Sequence, residues 1–108
     1  MEKIVTKVAE ETDSITVNAL LADRGVGFGR ARLNLGLEIN NLLVNRDARK
    51  KGVGRAILSK LENWGIEKGE VLAWAELAPI NYPQEALERF FRKHGYEVIL
   101  GFAEKVLK

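Results

Sequence analysis

A glycine-rich, basic turn between a strand pattern and a helix pattern constrains this chain more than any other feature. The apolar residues 42–44 precede the turn, residues 49–54 (Arg-Lys-Lys-Gly-Val-Gly) form it, and the amphipathic residues 56–61 follow. A strand that turns directly into a helix leaves unpaired backbone N–H groups at the helix N-terminus. With cations around them, these groups form an anion site that suits phosphate.

The charge around this turn is concentrated and admits more than one use. Residues 46–55 contain five cations and one acid. Such a patch can hold a phosphate-bearing ligand or a nucleic acid, or it can be a solvated run of charge. We consider nucleic acid the weakest of these partners, since no aromatic-rich surface accompanies the charges. No Gly-Lys-Ser/Thr ending and no third glycine after Gly54 occur at the required spacing, which excludes a Walker loop and a dinucleotide turn.

Hydrophobic periodicity predicts the elements along the rest of the chain. We expect helices over 52–68 and 83–94, and strands over 3–10, 14–20, 27–33, 37–44, 71–77, 96–100 and 102–107. The glycines at 25, 27 and 29 precede no helix pattern and are interpreted as turn and strand glycines. The order predicts an α/β (α+β) fold in a single domain, 1–108. Its mixed, mostly antiparallel sheet has six to seven strands and two main helices.

Composition excludes several classes of protein. The chain has 108 residues, no cysteine and one histidine, so disulfides, thiolate chemistry and a histidine-based metal cluster are ruled out. We therefore expect no metal. No apolar run approaches the ~20 residues of a membrane span, and the N-terminus lacks the apolar core of a signal peptide. These features fit an intracellular protein, and we expect a cytoplasmic one without a membrane partner.

The turn and its surroundings resemble the GNAT (Gcn5-related) N-acetyltransferase superfamily. Arg49, Gly52 and Gly54 fill the fixed places of the family's Arg/Gln-x-x-Gly-x-Gly/Ala motif. Upstream, residues 37–44 are similar to the family's fourth strand. Downstream, Asn81, Ala86 and the segment 91–96 are similar to its Asn-x-x-Ala…Tyr-x-x-x-Gly-Phe region. The resemblance covers about residues 26–100.

The resemblance implies acetyl-CoA as co-substrate, with its pyrophosphate over the basic turn and its pantetheine arm along the fourth strand. Asn81 would contact the coenzyme, although an asparagine there could instead cap the next helix. At Gly52 and Gly54 a side chain would block close approach of the backbone to phosphate. The residues so implied are Leu42, Leu43, Val44, Arg49, Lys50, Lys51, Gly52, Val53, Gly54, Arg55, Asn81 and Phe91.

Glu38 is the candidate general base. It lies fourteen residues before Gly52, the separation found in the histone acetyltransferase branch of the superfamily. A carboxylate near a sheet centre would have a raised pKa, as a base working near neutrality needs, unless it faces solvent. The family's acid is often a tyrosine four residues before the glycine of its Gly-Phe pair, where this chain has Phe91. Tyr82 is the substitute we name, with Tyr96 as another neighbour.

One departure from the family concerns the acceptor. Two helices that normally separate its first and second strands are replaced here by a short turn at 11–13. The acceptor side should therefore be open, or completed by a second subunit in a homodimer. We expect an amine acceptor, on a protein or peptide rather than a small enclosed molecule, and Trp74 could line that cleft or lie in the core. The alternative is a regulatory module that binds acetyl-CoA without turnover.

Overall fold

The computed structural model describes residues 3–77 and 83–107, which form seven strands and two helices. A 3-10 turn, Arg46–Ala48, precedes the first helix. The strand order is β1-β2-β3-β4-β5-β7-β6, in which only β4 and β5 are parallel neighbours. The predicted mixed, mostly antiparallel sheet is confirmed. The elements are β1 (Ile4–Glu10), β2 (Ser14–Leu21), β3 (Arg24–Leu33), β4 (Leu37–Val44), α1 (Val53–Glu67), β5 (Leu72–Glu76), α2 (Gln84–Lys93), β6 (Glu97–Ile99) and β7 (Phe102–Val106).

The predicted ends of the strands and helices agree with the structure to within one residue, except the start of β3, which comes three residues earlier because its turn is tighter than expected. Ala22 and Asp23 both have positive φ, 51° and 64°, so two residues suffice for the turn and β3 begins at Arg24 rather than at 27. Gly52 is left-handed (φ 84°) and lies before α1, which begins at Val53.

Glycines in β3 allow α1 to lie directly against the sheet. A Cβ at Gly29 would lie 2.5 Å from Cγ2 of Ile57, and one at Gly27 would lie 2.7 Å from the carbonyl oxygen of Leu43. A side chain at Gly29 would push the helix outward, and one at Gly27 would collide first with the backbone of β4 and then with Ile57, at 3.3 Å. The interpretation of these residues as strand glycines is confirmed.

A β-bulge in β4 lies close to the point where the pairing of β4 with β5 ends. Arg30 pairs with Asn41 but Ala31 pairs with Ile39, so Asn40 is an extra residue on β4. Such a bulge bends its strand. The parallel register of β4 with β5 contains only Leu37↔Ala73 and Glu38↔Trp74 in the described chain. Beyond Glu38 the two strands separate, and we call the space between them the splay.

Both helices pack on one face of the sheet. A Cβ at Gly54 of α1 would lie 3.1 Å from the ring of Phe90 on α2, so the two helices touch. Glu62 of α1 accepts hydrogen bonds from Tyr96 and from Lys105 on β7. Neither α1 nor α2 covers the opposite side, the open face. Its side chains alternate with the buried ones and are those of Val5, Lys7, Ala9, Ser14, Thr16, Asn18, Leu20, Phe28, Arg30, Arg32, Glu38, Asn41, Leu43, Leu72, Trp74, Glu76, Glu97, Ile99, Phe102, Glu104 and Val106.

Candidate functional site

A groove of about 640 Å³ lies on the helical face, between the start of α1 and α2. Its floor is the apolar end of β4, and its two walls come from the basic turn with the first turn of α1 and from one side of α2. The lining residues are Leu42, Val44, Arg49, Lys50, Gly52, Val53, Gly54, Arg55, Ala86, Leu87, Arg89, Phe90, Lys93 and His94.

The N-terminus of α1 opens into this groove without a cap of its own. No side chain caps it, and its first turn contains no acidic residue. The Nε of Arg49 donates to the carbonyl of Val44 at 3.1 Å, which ties the turn to the end of β4. The first N–H groups of a helix have no intrahelical partner, and the helix dipole is positive there. This end of α1 is therefore electropositive and has backbone donors suited to an anion.

Two glycines shape this end of the groove for different reasons. Gly52 is required by its backbone conformation, since its φ of 84° is one that other residues rarely adopt. At Gly54 a Cβ would lie 3.1 Å from Cε1 of Phe90. Close approach of α2 is thus a second reason for glycine at Gly54, beside the approach of a ligand that the sequence predicted.

The wall from α2 is the part of the site that sequence reasoning missed. Ala86, Arg89, Phe90 and Lys93 lie at i, i+3, i+4 and i+7, so they share one side of the helix. Two of the four are cations that face the basic turn across the groove. This spacing could be read from the sequence. The signal was one side of a helix that carries two cations, in a chain that also has an anion-binding turn.

His94 completes this wall at the C-terminus of α2. It is the C-cap residue, its Nδ1 lies 2.8 Å from the carbonyl oxygen of Phe90, and its ring packs 4.5 Å from that of Phe90. A histidine N–H that donates to a last-turn carbonyl stabilises a helix end. The position of His94 is thus explained by its contribution to the stability of the C-terminus of α2.

The groove brings together most of the residues that the resemblance implied for the coenzyme: Leu42, Val44, Arg49, Lys50, Gly52, Val53, Gly54 and Arg55. Leu43 lies on β4 between two groove residues and faces the open side, because strand side chains alternate. Lys51 is exposed next to the lining residues. Asn81 and Tyr82 lie outside the described residues.

Phe91 does not lie where a coenzyme contact requires it. Its side chain is 2% exposed, and its ring packs edge-on against Tyr96 at 5.0 Å and Phe90 at 5.5 Å. The apolar ring is buried on the core side of α2, whereas Phe90 faces the groove. The structure therefore replaces Phe91 with Phe90 as the aromatic lining residue.

Glu38 lies on the open face, at the closed end of the splay. Its Oε1 accepts hydrogen bonds from Nε of Arg32 at 2.6 Å and from Nδ2 of Asn34 at 3.1 Å. Partial burial raises the pKa of Glu38, but these two hydrogen bonds and the charge of Arg32 lower it more, so the pKa lies below its usual value. The expected raised pKa is wrong, because a neighbouring strand supplies a cation that the sequence pattern did not place there.

The side chain of Tyr96 is buried on the helical face, and its hydroxyl is engaged in a hydrogen bond. It is 4% exposed, and its hydroxyl donates to Oε2 of Glu62 at 2.6 Å. Burial raises the pKa of the Tyr96 phenol, and the hydrogen bond to Glu62 and the charge of its carboxylate raise it further. A phenol held in this way has a role in packing, which disfavours Tyr96 as a substitute acid.

Two features are not found in the part of the chain that the structure describes. Within residues 3–77 and 83–107, no three histidine or acidic side chains lie together in a way that could hold a metal ion. The helices in these ranges are too short and polar to cross a membrane.

The family follows from a match along most of the chain. A family model described as an acetyltransferase (GNAT) domain matches residues 8–98. The chain belongs to the GNAT acetyltransferases. Its mixed seven-stranded sheet with two helices is a fold that matches many solved structures, whereas no curated protein sequence matches it significantly.

Solved GNAT structures support the fold at low sequence identity. PaiA N-acetyltransferase from Thermoplasma acidophilum, in complex with coenzyme A, is 17% identical with a TM-score of 0.74, over 87% of this chain and 61% of that one. A Bacillus anthracis protein in complex with acetyl coenzyme A is 20% identical with a TM-score of 0.80, over 92% and 65%. Nourseothricin acetyltransferase is 17% identical with a TM-score of 0.77, over 100% and 87%. The chain thus spans less than two thirds of the length of the first two of these proteins.

Proposed function

We propose that this GNAT domain is an acetyl-CoA-dependent N-acetyltransferase that acts on an amine by direct attack. The observation that carries the proposal is the groove, in which an uncapped helix N-terminus and cationic walls lie over the apolar end of β4. The two neighbours crystallised with coenzyme A or acetyl coenzyme A share the fold and support this choice of ligand.

The residues of the groove fit a coenzyme with phosphates at one end and an amide-bearing arm at the other. The N–H groups before and within the first turn of α1 would hold the pyrophosphate, with Arg49 and Arg55 beside it. Arg89 and Lys93 add charge from the opposite wall. The arm would lie on the apolar floor and follow β4 into the splay. When bound, acetyl-CoA supplies the thioester that is open to attack.

The remaining chemistry is the handling of protons at the closed end of the splay. An attacking amine nitrogen forms a bond to the acetyl carbon, the carbon–sulfur bond breaks, and the amine loses one proton. Glu38 is the described carboxylate at this position, and it would accept that proton directly or through water. Its lowered pKa favours a carboxylate that orients the amine over a strong base. The departing thiolate would take up a proton from solvent.

The second candidate is a GNAT-fold module that binds acetyl-CoA without turnover. Two observations favour it: Phe91, in the place of a frequent tyrosine acid, is buried in the core, and Glu38 is held by Arg32 and Asn34. Such a module would bind the coenzyme with the same groove. It would release no free thiol when amines are added.

Calorimetric titration with coenzyme A and acetyl-CoA tests both candidates at the groove. We expect Arg55→Glu to weaken binding about tenfold or more, because a negative charge then lies in the first turn of α1 beside the pyrophosphate. The same change should not harm the helix, since acidic residues stabilise helix N-termini. Lys60→Glu makes the same charge change five residues further along α1, outside the groove, and is the matched control.

The possible outcomes test both the binding of the coenzyme and the location of its site. Binding by the wild type that Arg55→Glu weakens and Lys60→Glu leaves unchanged supports the groove, and an acceptor screen by thiol release then distinguishes enzyme from module. A folded wild type that binds neither coenzyme rejects both candidates, and equal loss in the two variants rejects the location.

A further inference from the structure

The open face is not the polar surface that usually covers an antiparallel sheet in water. Phe102 is 46% exposed, Ile99 57% and Val106 77%, and the half-buried Leu72 and Trp74 lie beside them. A solvated sheet face normally alternates apolar-in with polar-out. Here apolar side chains lie on both faces of β5, β7 and β6, so this half of the open face has the character of an interface.

Formal charges divide the open face into two halves. Lys7, Arg30 and Arg32 lie on β1 and β3, where the described strands place no acid on this face. The other half, β5 to β6, places three acids and no base on the same face: Glu76, Glu97 and Glu104. Glu38 lies between the halves on β4 and is bound to Arg32. The side chains of Arg30 and Glu76 make no hydrogen bond or ion pair within residues 3–77 and 83–107.

We propose that two copies of this chain pair through their open faces, around a twofold axis that lies over β4 and runs parallel to it. In face-to-face packing, this axis carries β3 of one copy over β5 of the other, so the basic half meets the acidic half. A twofold axis across the strands would instead place like charges together, which is unfavourable. The charge pattern therefore selects one orientation of the pair.

The pairing register brings one pair of charges into direct opposition. Arg32, Glu38 and Trp74 form one row across the sheet. Arg30 on β3 and Glu76 on β5 each lie two residues beyond this row, on the same side of it. The chosen axis thus carries Arg30 of one copy onto Glu76 of the other, and the reciprocal pair forms at the same time.

The size of the face is sufficient for such a dimer. The Cα envelope measures 36 × 32 × 21 Å, and in a two-layer molecule the shortest dimension lies across the layers. The face thus covers on the order of 1,000 Å², whereas a standard interface buries about 800 Å² on each partner. A pair of this size would bury the apolar residues of β6 and β7 that are exposed in the single chain.

One consequence rests on the proposed function. An amine that reaches Glu38 must approach from the open face, and Glu38 lies on β4, under the twofold axis. Pairing and acceptor binding would exclude each other, so the dimer is a resting form and the single chain is the form that accepts substrate. The coenzyme groove lies on the helical face and remains accessible in both.

Sedimentation of the wild type between about 1 µM and about 500 µM, with charge-reversal variants, tests the pairing. We expect a monomer–dimer equilibrium in the wild type. Arg30→Glu should weaken it at least about tenfold, since each dimer would contain two like-charged contacts. The double variant Arg30→Glu/Glu76→Lys recreates both pairs with exchanged signs and should recover dimerisation. Lys60→Glu on α1 makes the same charge change on the helical face and should leave it unchanged.

A wild type that stays monomeric throughout this range overturns the proposal, and so does an Arg30→Glu variant that dimerises like the wild type. A double variant that remains monomeric although each single variant is folded overturns the axis, and with it the proposal. Coenzyme titration of Arg30→Glu keeps the two proposals apart. This variant should bind coenzyme A like the wild type, so loss of pairing and loss of the groove are measured independently.

Discussion

The two faces of one sheet have been built in different ways. On the helical face, Gly27 and Gly29 allow α1 to touch the strands, and the described buried side chains are apolar. On the open face, charged and apolar side chains lie exposed side by side, and the charged ones are separated by sign into two halves of the sheet. The same strands thus form a close-packed core on one side and an interaction surface on the other. The difference indicates that folding depends on the helical face, while the open face is available for a function that folding does not require.

The strongest test of this difference introduces the same side chain on each face. Gly29→Val should lower the free energy of unfolding by about 3 kcal/mol, because even its Cβ would lie 2.5 Å from Cγ2 of Ile57. Asn18→Val places valine on the neighbouring strand, on the open face, and should change stability by less than about 0.5 kcal/mol. Urea unfolding of both variants measures the two effects. Equal destabilisation would contradict the contrast between the faces.

A smaller effect is expected from the polar link that ties α1 to β6 and β7. Tyr96→Phe removes the hydroxyl that donates to Glu62 at 2.6 Å and leaves Lys105 as its remaining partner, at 3.2 Å. We expect a loss of about 1–2 kcal/mol, since a partly buried charged acceptor loses one hydrogen bond. Thermal or urea unfolding checks this value. A variant as stable as the wild type would show that Lys105 and solvent satisfy Glu62 without the tyrosine.

The sequence predicted the features that depend on the local pattern of residues. It missed the features that depend on how distant strands pair. Alternation and helical periodicity were sufficient for the strands, for both helices and for the basic turn at Arg49 to Gly54. The bulge at Asn40 was not predictable from alternation, because the pairing of two distant strands determines which residue is extra. The same pairing brings Arg32 to Glu38 and reverses the expected direction of the pKa shift.

A non-local factor likewise decided which aromatic residue lines the groove. Phe90 and Phe91 are adjacent, and either could have faced the coenzyme in a helix of unknown rotation. The contact of Phe90 with Gly54, and of Phe91 with Tyr96, sets that rotation. The segregated charge of the open face was visible as residue types but not as a pattern, since it needs the strand order β5-β7-β6.

The smallest expected effect is a pH dependence that arises on the open face. The pKa of Glu38 is lowered in the folded chain, so its ion pair with Arg32 stabilises the fold above the unfolded pKa of about 4.3, and this contribution is lost as pH falls through the folded value. In dilute solution at pH 7, Glu38→Gln should be about 1 kcal/mol less stable than the wild type. The effect is modest because Arg32 is half exposed.

Below about pH 4 this difference should shrink, since the wild-type carboxylate also becomes neutral. Urea unfolding of both proteins at pH 7 and at about pH 3 measures the change, with the exposed Glu67→Gln on α1 as the control. A difference that persists or grows at low pH would mean that the hydrogen-bond geometry of Glu38, and not its charge, is what stabilises this part of the sheet. The open face would then contribute to folding independently of its charges, and the functional separation of the two faces would be weaker than their structures indicate.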